Sequence, residues 1–215
     1  MSPPRVEQRA SASTFIDGVL PRGERKTGWM LAEEAGLDHP YRLQSLLGRS
    51  SRSADALCDR VRRYVADTLG DADGVLVVDE TGFVKKGEHS VGVTRQYSGT
   101  AGRVENCQVG VFAAYASRFF HALIDRRLYL PKGWAENQAR RVNACVPEDA
   151  AFASKPAMAR EMVSRILDEG IPCAFVLADA VYGSDHKFRQ SPVRLIEPIA
   201  CGFKIGAGSL ALWGK

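Results

Sequence analysis

The sequence predicts an α/β protein, with a small helical domain ahead of a mixed sheet that combines an antiparallel meander with one parallel strand. Three observations predict it. Apolar residues recur at helical spacing up to about residue 72. The period then changes, to one short all-apolar run and two longer stretches that read as strands. Last, a helix-period stretch separates these from a final apolar run that ends, like the first, in an aspartate.

In the first region Trp29, Ala32 and Ala35 form one helical run, and Leu43, Leu46 and Leu47 the next. Gly36 lies four residues after Ala32, and Pro40 sits where a second helix would begin. The arrangement resembles a helix-turn-helix, which would bind DNA; the alternative is any helical hairpin, which also needs a small residue and a glycine at its corner. A further helix fits Ala54 to Leu69, with Leu57, Val61, Tyr64, Val65 and Leu69 apolar and Gly70 just past its end.

Val75-Leu76-Val77-Val78 reads as a strand buried on both faces, with a turn expected at Asp79-Glu80-Thr81-Gly82. A second strand is expected from about Asn106 to Tyr115, and a third from about Phe120 to Leu130. Ser154 reads as an N-cap with Pro156 in the first helical turn. Met158, Met162, Val163 and Ile166 mark the buried stripe of that helix, and Gly170 stops it. The last apolar run, Cys173 to Ala178, ends at Asp179.

Short links favour an antiparallel meander for the first three strands, and a helical crossover then places the fourth parallel to the first. Asp79 and Asp179 would close two neighbouring parallel strands at one edge of the sheet. Carboxylates held close repel and raise each other's pKa, a conflict that a hard divalent cation such as Mg²⁺ or Mn²⁺ removes. The alternative is that each aspartate simply caps the turn or helix that follows.

The 215 residues carry 29 Lys+Arg and 25 Asp+Glu, a net charge of +4 that is compatible with a polyanionic partner without requiring one. No stretch approaches a membrane span, and the N-terminus has no apolar run, so neither membrane insertion nor secretion is expected. The five cysteines lie far apart with no Cys-x-x-Cys, which reads as reduced cytoplasmic thiols. The run into Asp79-Glu80 also has the look of a Walker B strand. A P-loop should precede it, yet after Gly18 and Gly23 a glutamate, Glu24, stands where lysine is required, so no nucleotide cofactor is expected. His89, His121 and His186 show no metal-ligand spacing, and Trp134 reads as a packing residue, with stacking on a base as the alternative.

Val77 to Phe83, Lys85-Lys86-Gly87 and Ser90 to Val93 resemble segments of bacterial insertion-sequence transposases of the DDE superfamily. So do Arg95 to Thr100, Asn106 to Val109, Arg127 to Pro131 and Ala178 to Gly183. The resemblance runs from roughly residue 14 to residue 189. It implies a ribonuclease H-like catalytic domain and Mg²⁺- or Mn²⁺-dependent cleavage and joining of DNA at the ends of a mobile element. It makes Asp79 the first acid of the catalytic triad and Asp179 the second, both metal ligands. Lys85, Lys86, Arg95 and Arg103 become phosphate contacts beside the site, the alternative being a solvated basic loop.

The family's third acid, a glutamate on a later helix, has no match. Glu197 is the one glutamate after Asp179, and it lies too soon after it and beside Pro198. From about Gln190 the chain is Gly-rich and no longer resembles the family, as an out-of-frame or prematurely ended C-terminus would, or a naturally divergent one. The expected organisation is a helical domain at 1–72, a partial ribonuclease H-like domain at 73–189 and a divergent or unstructured tail at 190–215. The expected function is an insertion-sequence transposase, inactive as a fragment, with weak or absent metal binding and a cytoplasmic, nucleoid-associated location. Its expected partners are DNA and further copies of itself. The alternative is a non-catalytic DNA-binding or oligomerising remnant that inhibits intact transposase.

Overall fold

The computed structural model describes residues 6–20, 26–49 and 53–189. Glu197 and the 190–215 tail lie outside these. The chain divides into two compact units, residues 1–56 and 57–215.

In the first unit, α1 (Val6–Val19), α2 (Gly28–Glu34) and α3 (Tyr41–Gly48) surround a small core of Leu31, Ala32 and Leu43. The Thr27 side chain caps α2 by accepting from the Met30 amide. Gly36 ends it with φ +66°, a left-handed conformation that favours glycine. There the Leu37 amide reaches back to the Ala32 carbonyl and the Gly36 amide to that of Glu33. The expected corner between two helices is therefore present. Its apolar stripe is only partly buried, because Trp29 and Leu47 are exposed.

In the second unit, α4 (Ala54–Leu69) contributes Val65 to the core of the sheet domain. A boundary at 72 would leave this helix with the first three, whereas its packing joins it to the sheet. Its buried positions are Arg62 and Val65, while Leu57 and Tyr64 stay exposed. A charged residue thus takes the place that apolar periodicity alone gives to its neighbours.

The sheet has five strands, β1 (Val75–Val84), β2 (Thr94–Ser98), β3 (Arg103–Ala116), β4 (His121–Leu128) and β5 (Phe175–Ala178). Its order is β2-β3-β1-β5, with β4 also on β3. β1 and β3 are antiparallel from Val75↔Ala116 to Val84↔Cys107. β3 and β4 are antiparallel from Gly110↔Leu128 to Ala116↔His121, with an irregularity at Ala113/Ala114. β5 returns parallel to β1, from Val75↔Phe175 to Val78↔Ala178. This is the expected mixed sheet, an antiparallel meander with a parallel strand added at its first member.

The structure differs from the sequence reading in two places. β1 does not turn at Asp79 but continues to Val84, because β3 is long enough to pair with all of it. β2, an additional strand, pairs Thr94–Ser98 with the first residues of β3.

Between β4 and β5 come three helices, α5 (Lys132–Ala135), α6 (Gln138–Asn143) and α7 (Lys155–Asp168). α7 is capped by Ser154, whose side chain accepts from the Ala157 amide, and Pro156 is in its first turn. It lays Met158, Ala159, Met162, Val163 and Ile166 against one face of the sheet, packing with Leu76, Val78, Val111, Ala113 and Tyr115. Strand alternation assigns the intervening residues of β1 and β3, Asp79 and its partner Phe112 among them, to the opposite face. After β5 follow two short helices, α8 (Ala180–Gly183) and α9 (His186–Arg189).

Candidate active site at the end of the parallel pair

The β1–β5 ladder stops at Val78↔Ala178, and the next residue on each strand is an aspartate. Asp79 and Asp179 therefore stand at the same level of two adjacent parallel strands. Each follows by one residue a core-facing position, Val78 or Ala178, so alternation directs both toward the face away from α7. Both are half-buried.

Backbone amides orient the two carboxylates. Asp79 Oδ1 accepts from the Glu80 amide at 2.8 Å. Asp179 is the N-cap of α8, its Oδ1 accepting from the Val181 amide at 2.9 Å and the Tyr182 amide at 3.3 Å. The capping role read as an alternative for Asp179 is thus observed, and it coexists with the juxtaposition. A cap uses one oxygen of a carboxylate and leaves geometry for a second interaction.

On the α7 face, next to Asp79, lies an ion-pair cluster that sequence reasoning did not single out. Glu80 Oε1 accepts from Lys155 Nζ at 2.8 Å, both side chains about one-fifth exposed, and Glu80 Oε2 accepts from the Tyr182 hydroxyl. Tyr182 is fully buried. Burial first, then its bond to Glu80, push its hydroxyl well above the usual tyrosine range, with the charges of Glu80, Asp79 and Asp179 adding to the effect. The only hint in the sequence is spacing, an acid one residue after the first aspartate and a tyrosine three after the second. Nothing in that pattern announces a contact between residues so far apart in sequence.

The basic residues expected at the site separate. Arg95 pairs with Asn106 and so shares the face of Phe112 and Asp79. Arg103 pairs with Ser98 on the other face and forms an exposed ion pair with Glu105 at 2.7 Å. Lys85 follows β1 directly, its amide bonded to the Asn106 carbonyl, and Lys86 is exposed. Trp134 is buried, donates through Nε1 to the Val93 carbonyl at 2.7 Å and carries Arg140 over its ring at 3.9 Å. That is a packing role.

Paired, half-buried carboxylate oxygens suit a hard divalent cation. Among the described residues no three His, Cys, Asp or Glu side chains cluster to hold a metal. The described donor set is thus two carboxylates, a fit to one cation with water or substrate oxygen completing its shell.

The family model described as "DDE superfamily endonuclease" matches residues 3–199. A curated relative, "Probable transposase for insertion sequence element IS701" from Microchaete diplosiphon, is 28% identical over 172 residues, which is 79% of this chain and 42% of the relative. The chain thus spans less than half of that relative's length. Among solved structures, the Mos1 strand transfer complex is 12% identical and aligns over 88% of this chain and 56% of that one, with a TM-score of 0.27. The Mos1 transposase paired-end complex with left transposon end is 13% identical over 89% and 57%, also with a TM-score of 0.27. Matched along most of its length by the family model, the chain belongs to the DDE superfamily of endonucleases.

Proposed function

We propose that this chain carries the first two acids of the catalytic site of an insertion-sequence transposase, which cuts and joins DNA at the ends of a mobile element. The observation that carries the reading is the parallel register of β1 and β5, which brings Asp79 and Asp179 to one level past the last ladder pair. The superfamily assignment and the relative named as a probable transposase support it.

Asp79 and Asp179 would hold Mg²⁺ or Mn²⁺. When bound, such an ion lowers the pKa of the attacking hydroxyl or water and stabilises the leaving oxygen. The chain's own contribution is orientation. The Glu80 amide fixes one carboxylate and the first turn of α8 fixes the other. Arg95, on the same face as Asp79, is placed to meet a phosphate, and Lys85 and Lys86 would add backbone contacts that carry no sequence information. Arg103 on the far face is the weakest of the four candidates.

Among the described residues two acids meet at this edge and supply two negative charges, whereas a pair of divalent ions carries four positive ones. On this reading the polypeptide binds DNA but holds a second ion weakly, and by itself it does not nick DNA measurably. It would then act as a DNA-binding or self-associating inhibitor of an intact copy, in the cytoplasm with the nucleoid.

The test is incubation with supercoiled DNA bearing the element's ends, in Mg²⁺ and then Mn²⁺, beside a binding assay. Binding that strengthens with Mn²⁺ in the parent and not in Asp79→Asn supports the site. Binding indifferent to Mn²⁺ overturns it. Nicking abolished by Asp79→Ala would overturn the two-acid reading alone and make Glu197 the first candidate for the missing acid.

A further inference from the structure

The β1–β5 ladder ends one residue before the two aspartates, so main-chain pairing does not fix the distance between them. Beyond the ladder, a chain of hydrogen bonds links them. The Tyr182 amide donates to Asp179 Oδ1, and the Tyr182 hydroxyl donates to Glu80 Oε2. The Glu80 amide in turn donates to Asp79 Oδ1. One residue thus joins both acids, its main chain holding the second and its side chain reaching, through Glu80, the first. Lys155 Nζ on the other oxygen of Glu80 keeps that carboxylate from swinging away. Tyr182 is itself immobilised, fully buried in the main core with its ring 6.0 Å from that of Phe188.

We propose that Tyr182, acting through Glu80, is a positioning residue that sets the spacing of Asp79 and Asp179 and thereby their joint affinity for a divalent cation. The inference rests on the reading of the two aspartates as a cation site. Outer partners that orient ligating carboxylates typically change metal affinity by about 10–100-fold when removed. The hydroxyl of Tyr182 bonds neither acid itself; it ties Glu80, whose amide holds Asp79, to the residue whose amide holds Asp179.

The experiment titrates Mn²⁺ into the full chain and follows loss of the free-ion paramagnetic resonance signal. Tyr182→Phe keeps the ring in the core and removes the hydroxyl. It should weaken Mn²⁺ binding about tenfold, and Glu80→Ala should do the same. Glu80→Gln should restore parental affinity, since either end of an amide can bond the tyrosine hydroxyl. Tyr115→Phe is the structural control. This second buried tyrosine donates to the Pro172 carbonyl at 2.7 Å, and its strand partner is Leu76, near the start of β1. It should lose stability and keep parental Mn²⁺ affinity. Without metal, amide exchange at Tyr182 and Glu80 should quicken in Tyr182→Phe.

If Asp79→Asn weakens binding while Tyr182→Phe does not, the positioning role is overturned and the cation site stands. A loss shared equally by Tyr115→Phe assigns the effect to stability and also overturns it. If Tyr182→Phe does not fold, Glu80→Ala against Glu80→Gln decides, and equal affinity of those two overturns the role. If the parent shows no saturable binding, or Asp79→Asn binds as the parent does, the site reading falls and takes the inference with it.

Discussion

Replacing Arg62 by alanine tests how α4 is held to the sheet domain. Arg62 is only 1% exposed. Its Nε and Nη2 donate to the two oxygens of Glu169 at 2.7 and 2.8 Å, its Nη2 also meets Asp59, and its Nη1 lies 3.5 Å from Asp125 Oδ2. Asp125 has no exposed side-chain surface, whereas Glu169 is one-third exposed. The Glu169 bond first, and the charges of Asp125, Glu169 and Asp59 after it, raise the Arg62 pKa against the effect of burial.

Breaking a buried ion pair by removing one partner costs about 3–5 kcal/mol, because the other charge stays buried. Two features favour the lower end of that range. Asp125 keeps Arg165 at 2.5 Å and the Arg126 amide at 2.8 Å, and Glu169 can turn to water. The expected loss is therefore about 3 kcal/mol, roughly two orders of magnitude in the folding equilibrium. Urea denaturation followed by circular dichroism measures it, as a midpoint shift at constant slope. Arg62→Lys, which keeps the charge and loses the fork, should fall between parent and alanine variant. A loss below about 1 kcal/mol for Arg62→Ala would put the cluster in the class of exposed pairs and refute the reasoning.

Three further outcomes follow from the core. Met162→Ala removes a fully buried side chain on α7 and should cost about 3 kcal/mol by thermal or urea unfolding. Gly74→Ala would place a Cβ 2.1 Å from the Tyr115 hydroxyl, which also bonds the Asp71 main chain, so a loss of about 1–3 kcal/mol is expected in the same assay. Burial raises the Tyr115 pKa above its ordinary 10.0. The native state therefore keeps this proton where the unfolded state releases it, and stability present below about pH 10 is lost as pH rises beyond it. Unfolding midpoints measured above and below that pH should show the fall, and Tyr115→Phe should reduce it.

Much of the fold was legible because it rests on signals that sequence carries locally. The apolar run at Val75–Val78, the Ser154 cap, the α7 stripe and Gly170 are each set by neighbours within a turn or two. The parallel return of β5 beside β1, which leaves Asp79 and Asp179 one residue past the last ladder pair, follows from connection rules. What was missed depends on distant partners. β1 continues through Asp79-Glu80-Thr81-Gly82, a stretch that reads as a turn, because β3 pairs with it to Val84. Arg62 is inside, and Leu57 outside, because Asp125 and Glu169 wait on other elements. Glu80, Lys155 and Tyr182 come from three separate segments, and no periodicity links them.

The most direct measurement of the central claim is an anomalous-scattering difference map from crystals of the full chain grown with Mn²⁺. The account predicts a peak at the end of the β1–β5 pair, within coordination distance of a carboxylate oxygen of both Asp79 and Asp179, and its loss in Asp79→Asn. A Mn²⁺ peak touching only one of the two aspartates, or a fully occupied Mn²⁺ elsewhere with none at this edge, would contradict it.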